Sequence, residues 1–196
     1  MVKKNRKKMS ELNKLLDEMY QTSPYRRNFR NKTTFETNVG SSVYGEVTKN
    51  GTNSIVNKFK DYFNKDTVFY DLGSGIGKMV IHIGLEYNVK KSIGIEYSKE
   101  RHAGAIYLKE KYAKDSNNIE LICGDFLKNN LSDATVIYMD NTVFPNEVSK
   151  RIYKLLSKGT LVLYKRKINI KGIFEKEDPN LVERTYNQKK LIWLVK

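Results

Sequence analysis

The chain has 196 residues, 39% of them hydrophobic, so it is long enough to bury a core of its own and suits one domain. No apolar run approaches a membrane span, and no apolar stretch of the signal-peptide kind follows the basic start. One cysteine (Cys123) rules out an intramolecular disulfide, and with only two histidines a metal site is not expected; the composition reads as that of an intracellular, non-membrane protein. The net charge is +14, and residues 1–32 hold ten Lys/Arg against three Asp/Glu, a net of +7. A basic arm of that kind suits a polyanionic partner whose phosphates supply affinity, a solubilising or targeting tail being the alternative.

In chain order, Lys3 to Lys8 forms a basic run expected to be disordered without a partner. Ser10 can cap a short helix with Leu12, Leu15, Leu16 and Met19 on one face, and Thr22-Ser23-Pro24 stops it. This arm and helix make up residues 1–37. A glycine- and serine-containing loop from Asn38 to Thr48 opens the second unit, 38–196, and leads into a helix that places Ile55, Val56, Phe59, Tyr62 and Phe63 inward. The central stretch is Thr67 to Lys78, TVFYDLGSGIGK. Thr67 to Tyr70 reads as a buried strand, Asp71 stands at its end, Gly73, Gly75 and Gly77 recur at every second position, and an apolar helix starts at Lys78. Strand, glycine turn and helix bring backbone N–H groups and a helix start close to a ligand. The G-x-G-x-G spacing differs from the G-x-G-x-x-G of dinucleotide-binding turns, and a nucleoside with an amino-acid tail fits it better than NAD.

Lys91 to Ile95 reads as the next strand and ends in Glu96, nineteen residues past Gly77. In a right-handed βαβ unit a carboxylate there can accept both ribose hydroxyls, and with Asp71 it points to S-adenosyl-L-methionine as the ligand. Ser98 caps a helix carrying Ala103, Ile106, Tyr107 and Ala113. Further strands follow at Ile119–Cys123, Thr135–Met139 and Thr160–Tyr164, with a helix over Glu147–Leu156. Leu181–Tyr186 and Lys190–Val195 read as a terminal hairpin. The pattern predicts an α/β fold: a doubly wound, seven-stranded, mostly parallel, Rossmann-like sheet with a closing antiparallel hairpin. Cys123 is expected to pack within its strand, His82 to be a satisfied core residue, and His102 to lie on a solvated face.

The strand ends Asp71, Glu96, Asp125 and Asp140-Asn141 form a ladder that resembles the class I S-adenosylmethionine-dependent methyltransferases. Val43-Tyr44-Gly45-Glu46, Gly124-Asp125-Phe126-Leu127 and the run from Val136 to Phe144 are similar to the Dot-one (disruptor of telomeric silencing) histone lysine methyltransferases. The resemblance implies that 38–196 is the catalytic domain. It implies that Tyr44 and Glu46 lie in a loop over the cofactor. Asp71, Gly73 and Gly75 would approach its methionine end and Glu96 its ribose, with Gly77 and Lys78 also in the cofactor site. Asp125 would bond the adenine and Phe126 would stack on it. Asp140 and Asn141 would flank the transferred methyl, with Tyr138, Tyr186 and Trp193 walling a lysine channel.

Two departures stand out: the family's Asn-Asn pair reads Asp140-Asn141, and its threonine after Tyr-Gly-Glu reads Val47, with Thr48 one residue on. The resemblance also implies a nucleosome as partner, its histone as acceptor and its DNA phosphates on the basic arm, and hence a nuclear or chromatin location. Rivals are a lysine methyltransferase acting on a non-histone protein, a ribose methyltransferase, and a chromatin-binding module without turnover. Amino methylation of adenine wants an Asn/Asp-Pro-Pro-aromatic clamp that Asp140-Asn141-Thr142-Val143 lacks.

Overall fold

The computed structural model describes residues 2–22, 45–185 and 189–196. Helices are α1 (Val2–Gln21), α2 (Lys49–Lys58), α3 (Lys78–Glu86), α4 (Lys99–Tyr112) and α5 (Asn146–Leu155). Strands are β1 (Val68–Leu72), β2 (Lys91–Glu96), β3 (Ile119–Cys123), β4 (Val136–Met139), β5 (Leu161–Tyr164), β6 (Lys176–Val182) and β7 (Lys189–Val195). They form one sheet in the order β3-β2-β1-β4-β5-β7-β6. β3 to β5 run parallel, and β7 enters antiparallel between β5 and β6.

The central strands β1, β4 and β5 are buried at every position, as a sheet covered on both faces requires. Alternation along them divides the core. Phe69, Tyr138 and Leu163 face Ile55, Val56 and Phe59 of the α2 segment, Val80 and Ile83 of α3, and Leu16 and Met19 of α1. Tyr70, Leu72, Met139 and Tyr164 face Val148, Ile152 and Leu156 on and just beyond α5. No helix among the described residues is long and apolar enough to cross a membrane.

Several elements differ from the sequence reading. α1 begins at Val2 rather than Ser10, so the basic run expected to be disordered is helical. Nothing between Val2 and Gln21 breaks a helix, and Lys, Arg, Leu and Met all favour one. On α4 the inward face is Gly104, Ala105, Leu108 and Tyr112, while Ile106 and Tyr107 are exposed. Apolar residues lie on both sides of that helix, so its pattern alone fixes no face. β6 starts at Lys176, five residues before the expected Leu181, and its pairing with β7 shifts register between Glu177 and Leu181. Pro179 lies in this irregular stretch, and β6 is the edge strand, where a missing N–H leaves no ladder bond unmade. Cys123 is exposed at the end of edge strand β3 rather than packed.

His82 is fully buried, with Nδ1 3.0 Å from the Tyr20 hydroxyl and Nε2 2.6 Å from Glu86. That contact holds the Glu86 carboxyl below its ordinary range. His82 therefore joins α1 to α3 as a satisfied core residue.

Candidate active site

The carboxyl ends of β1, β2, β3 and β4 converge where parallel α/β sheets bind ligands. After β1 the chain turns through Gly73, Gly75 and Gly77 with φ of 86°, 57° and 73°, a left-handed region that glycine occupies without penalty. The N–H groups of Gly73 and Ser74 both donate to the Ile95 carbonyl, at 2.8 and 3.2 Å, binding the turn to β2. Gly77 caps α3, and a Cβ there would come within 3.1 Å of Ala105 Cβ and of Leu121 Cδ2. Close approach of α3 to α4 therefore depends on this glycine.

Glu96 is buried, and its two carboxylate oxygens accept from the Gly75 N–H and the Ser98 N–H, each at 2.8 Å. It thus shapes the glycine turn by itself. Each carboxylate oxygen still has a free lone pair for a ribose hydroxyl. Asp125 caps the following turn through the Leu127 N–H at 2.9 Å. Phe126 is 5% exposed and sits in the core against Phe144, ring centroids 5.3 Å apart, so it is not presented as the open adenine platform the resemblance implies. Tyr97, directly after Glu96, is an exposed aromatic that the sequence reading passed over; its place next to that acid was the available signal.

Lys78 does not stand open to a ligand. Its buried ammonium is 3.0 Å from Glu46 Oε2 and 3.0 Å from the Tyr20 carbonyl. Glu46 is thereby fixed beside the glycine turn, and residues 46–48 pair with 183–185: Thr185 N–H donates to the Glu46 carbonyl at 2.9 Å, Thr48 N–H to the Glu183 carbonyl at 3.2 Å, and Val47 bridges Arg184. Thr48 caps α2 by accepting from the Gly51 N–H at 3.1 Å.

Asp71, Tyr138, Leu163, Trp193 and Lys176 form one row across the sheet, paired in register. Burial, then Glu96, then Asp140 push the Asp71 carboxyl up to about 8. Tyr138 is buried, and its hydroxyl has no partner among the described residues. Burial first, then Asp140, push that phenol up, with Arg184 opposing. Asp140 accepts from Thr142 Oγ1 at 2.6 Å and pairs with the Arg184 guanidinium.

Asn141 turns elsewhere. It is fully buried, Oδ1 accepting from the Lys165 and Arg166 N–H groups at 3.0 and 2.8 Å while Nδ2 donates to the Arg166 carbonyl at 2.6 Å. Its amide ties β4 to the end of β5 rather than flanking a ligand. Trp193 stacks edge-on against Phe59, and the Lys176 ammonium lies 4.6 Å from its ring centroid. Tyr44 and Tyr186 lie outside the described residues. Arg184 had no sequence signal of its own; the acid at position 140 was the indirect one.

Glu96 on a left-handed glycine cradle, with Asp71 and Asp140 close enough to act on one another, suits a ligand with a cationic centre, an ammonium and a ribose. The sheet order and this acid-tipped site are those of a class I methyltransferase that takes S-adenosyl-L-methionine as its cofactor. The family described as "Histone methylation protein DOT1" matches residues 23–178, and the chain belongs to it.

A protein-lysine N-methyltransferase of Saccharolobus islandicus (strain REY15A) is 32% identical over 128 residues, 63% of this chain and 79% of that protein. Among solved structures, an RNA methyltransferase from Salinibacter ruber with S-adenosyl-L-homocysteine bound superposes with a TM-score of 0.62 at 19% identity, over 76% of this chain and 92% of that one. An S-adenosylmethionine-dependent methyltransferase from Thiobacillus denitrificans, also with S-adenosyl-L-homocysteine, gives 0.52 at 16%, over 61% and 49%. At those identities the likeness is one of fold.

Proposed function

We propose that this protein methylates a lysine side chain of another protein, as Dot-one type enzymes do, with a nucleosomal core histone as the acceptor. The observation that carries the reading is the 32% identity to a protein-lysine N-methyltransferase, in a chain that belongs to a family named for histone methylation. Two features support it. No Pro-Pro-aromatic clamp for a nucleobase follows Asp140, and a buried tyrosine hydroxyl without a partner among the described residues, Tyr138, lies next to the carboxylates.

S-adenosyl-L-methionine supplies a methyl group bonded to a sulfonium. The lysine nitrogen, in its neutral form, attacks the methyl carbon in line with the carbon–sulfur bond. The N–C bond forms, the carbon–sulfur pair stays with sulfur, and the nitrogen's surplus proton leaves to water. The protein's part is to align the two atoms and exclude solvent, an effect worth up to ~7–11 kcal/mol of barrier. Asp71, Glu96 and the glycine turn hold the donor side. Tyr138 and Trp193, in one row of the sheet, stand on the acceptor side. The excess charge of residues 1–32 suits nucleosomal DNA. A chromatin location follows if the acceptor is a histone.

The test is incubation with methyl-labelled cofactor and, separately, nucleosomes, free core histones, a mixed cell protein extract and RNA, followed by mass spectrometry of the product. Label on a histone lysine is the expected result. Label on a non-histone lysine narrows the reading to protein-lysine methylation, and label on ribose overturns it.

A further inference from the structure

We propose that Arg184 is a positioning residue whose guanidinium cancels the charge of Asp140, so that the donor and the incoming amine meet a neutral pair rather than a bare carboxylate. The effect on the amine rests on the lysine reading above. The pairing itself does not.

The residue is placed by backbone on both sides. Glu183 and Thr185 exchange main-chain hydrogen bonds with Thr48 and Glu46, and the Glu46 N–H donates to Thr185 Oγ1 at 3.1 Å. A Cβ on Gly51 would collide with the Glu183 carbonyl, so the start of α2 seats this segment as closely as a glycine permits. From that position the Arg184 side chain, 8% exposed, reaches Asp140 Oδ2. Its Nε is buried without a partner among the described residues, as is the Tyr138 hydroxyl. Two unsatisfied polar atoms near one carboxylate mark a place completed by something bound.

Around Asp140 stand Asp71 on β1, which it influences through space, Tyr138 on its own strand, Thr142 just beyond it, and Arg184 after β6; Glu96 on β2 acts through Asp71. Of these groups Arg184 alone is a cation; a further cation, Lys165, is buried at the end of β5, one residue past the Met139–Tyr164 register pair. Without the guanidinium, the surroundings of Asp140 would be one charge more negative. A carboxylate near a lysine amine favours its ammonium form, which cannot attack, while the same charge draws the sulfonium closer. Arginine suits the role because it stays charged at any working pH and cannot itself serve as a base.

The experiment uses the full chain with Arg184→Met, Asp140→Asn, both together, and Arg184→Lys. The first readout needs no acceptor: the ratio of affinities for S-adenosyl-L-methionine, a cation at sulfur, and S-adenosyl-L-homocysteine, which is neutral there, by calorimetry. Arg184→Met should raise that ratio several-fold, Asp140→Asn should lower it, and the double variant and Arg184→Lys should lie near the wild type. The second readout is the acid limb of the pH–rate profile on whichever lysine acceptor the wild type labels. Arg184→Met should move it about one unit to higher pH, roughly tenfold in rate near pH 7, and the double variant should move it back.

A lost contact without a charge effect would lower affinity for both ligands alike and leave the limb in place. An unchanged ratio in folded Arg184→Met overturns the proposal. A wild type that labels no lysine, with the ratio shifted as stated, sinks the lysine reading and leaves the charge pairing supported.

Discussion

Lys78 and Glu46 form a buried ion pair at 3.0 Å, with the Tyr20 carbonyl as the ammonium's second partner at the same distance. Lys78 follows Gly77 directly, Tyr20 lies in the last turn of α1, and Glu46 belongs to the segment expected over the cofactor. One ammonium therefore fastens three parts of the chain beside the glycine turn. A cation also suits the carbonyl-rich end of α1.

Breaking that pair should destabilise the protein. Glu46→Gln leaves a buried ammonium with a neutral partner, and removing one member of a buried pair costs about 3–5 kcal/mol. The thermal midpoint should fall by roughly 6–20 °C, at ~2–4 °C per kcal/mol for a chain of this size. The double variant Lys78→Met/Glu46→Leu should recover much of the loss, since it leaves no buried charge. Melting followed by circular dichroism checks both.

Asp71 makes cofactor binding depend on pH. With its carboxyl pushed up to about 8, the ligand-free site carries a proton there at neutral pH. A bound cation favours the carboxylate, so binding should release up to one proton, and affinity should rise as pH increases from 6 to 7.5. That range lies below the titration of the cofactor's own α-amino group, at ~7.7–8.0 in model compounds. Calorimetry in buffers of different ionisation enthalpy measures the proton count, which Asp71→Asn should abolish. The same shift has a stability sign. Because the folded value is raised, the contribution is complete below the unfolded value of ~3.9 and is lost as pH climbs through about 8. Ligand-free protein should therefore lose stability across that window, and Asp71→Asn should flatten the loss.

Glu96→Ala should weaken cofactor binding by about ten- to a hundredfold, since hydrogen bonds to charged groups contribute ~1.5–3 kcal/mol. The variant also strips the Gly75 and Ser98 N–H groups of their acceptor. A lower melting temperature without ligand should accompany the affinity loss. Unchanged calorimetric affinity in a folded variant would remove Glu96 from the ribose site.

Gly77→Ala should cost roughly 1–2 kcal/mol for the left-handed backbone alone. Contact with Ala105 and Leu121 at 3.1 Å adds to it. Denaturant midpoints for Gly77→Ala and for Gly124→Ala, where an added Cβ meets nothing within 4 Å, make the comparison; only the first should fall markedly.

The strands, their acidic ends and the glycine turn were legible in the sequence because each depends on local chemistry. Buried strands need β-branched and aromatic residues, and left-handed turns need glycine. Thr67 to Lys78 and the spacing to Glu96 were enough to reach the cofactor, and the alternation of strands and helices with the closing hairpin gave the fold. Tertiary structure decided what the charged groups do. Lys78 turned to Glu46, Asn141 to the backbone of residues 165–166, Phe126 to Phe144, and Asp140 to an arginine 44 residues further along the chain. The α4 face and the start of β6 were settled the same way, by a close glycine contact and by an edge position. A side chain's type fixes which bonds it can make, but its partner comes from residues distant in sequence that the fold brings into contact, and no local pattern encodes that meeting.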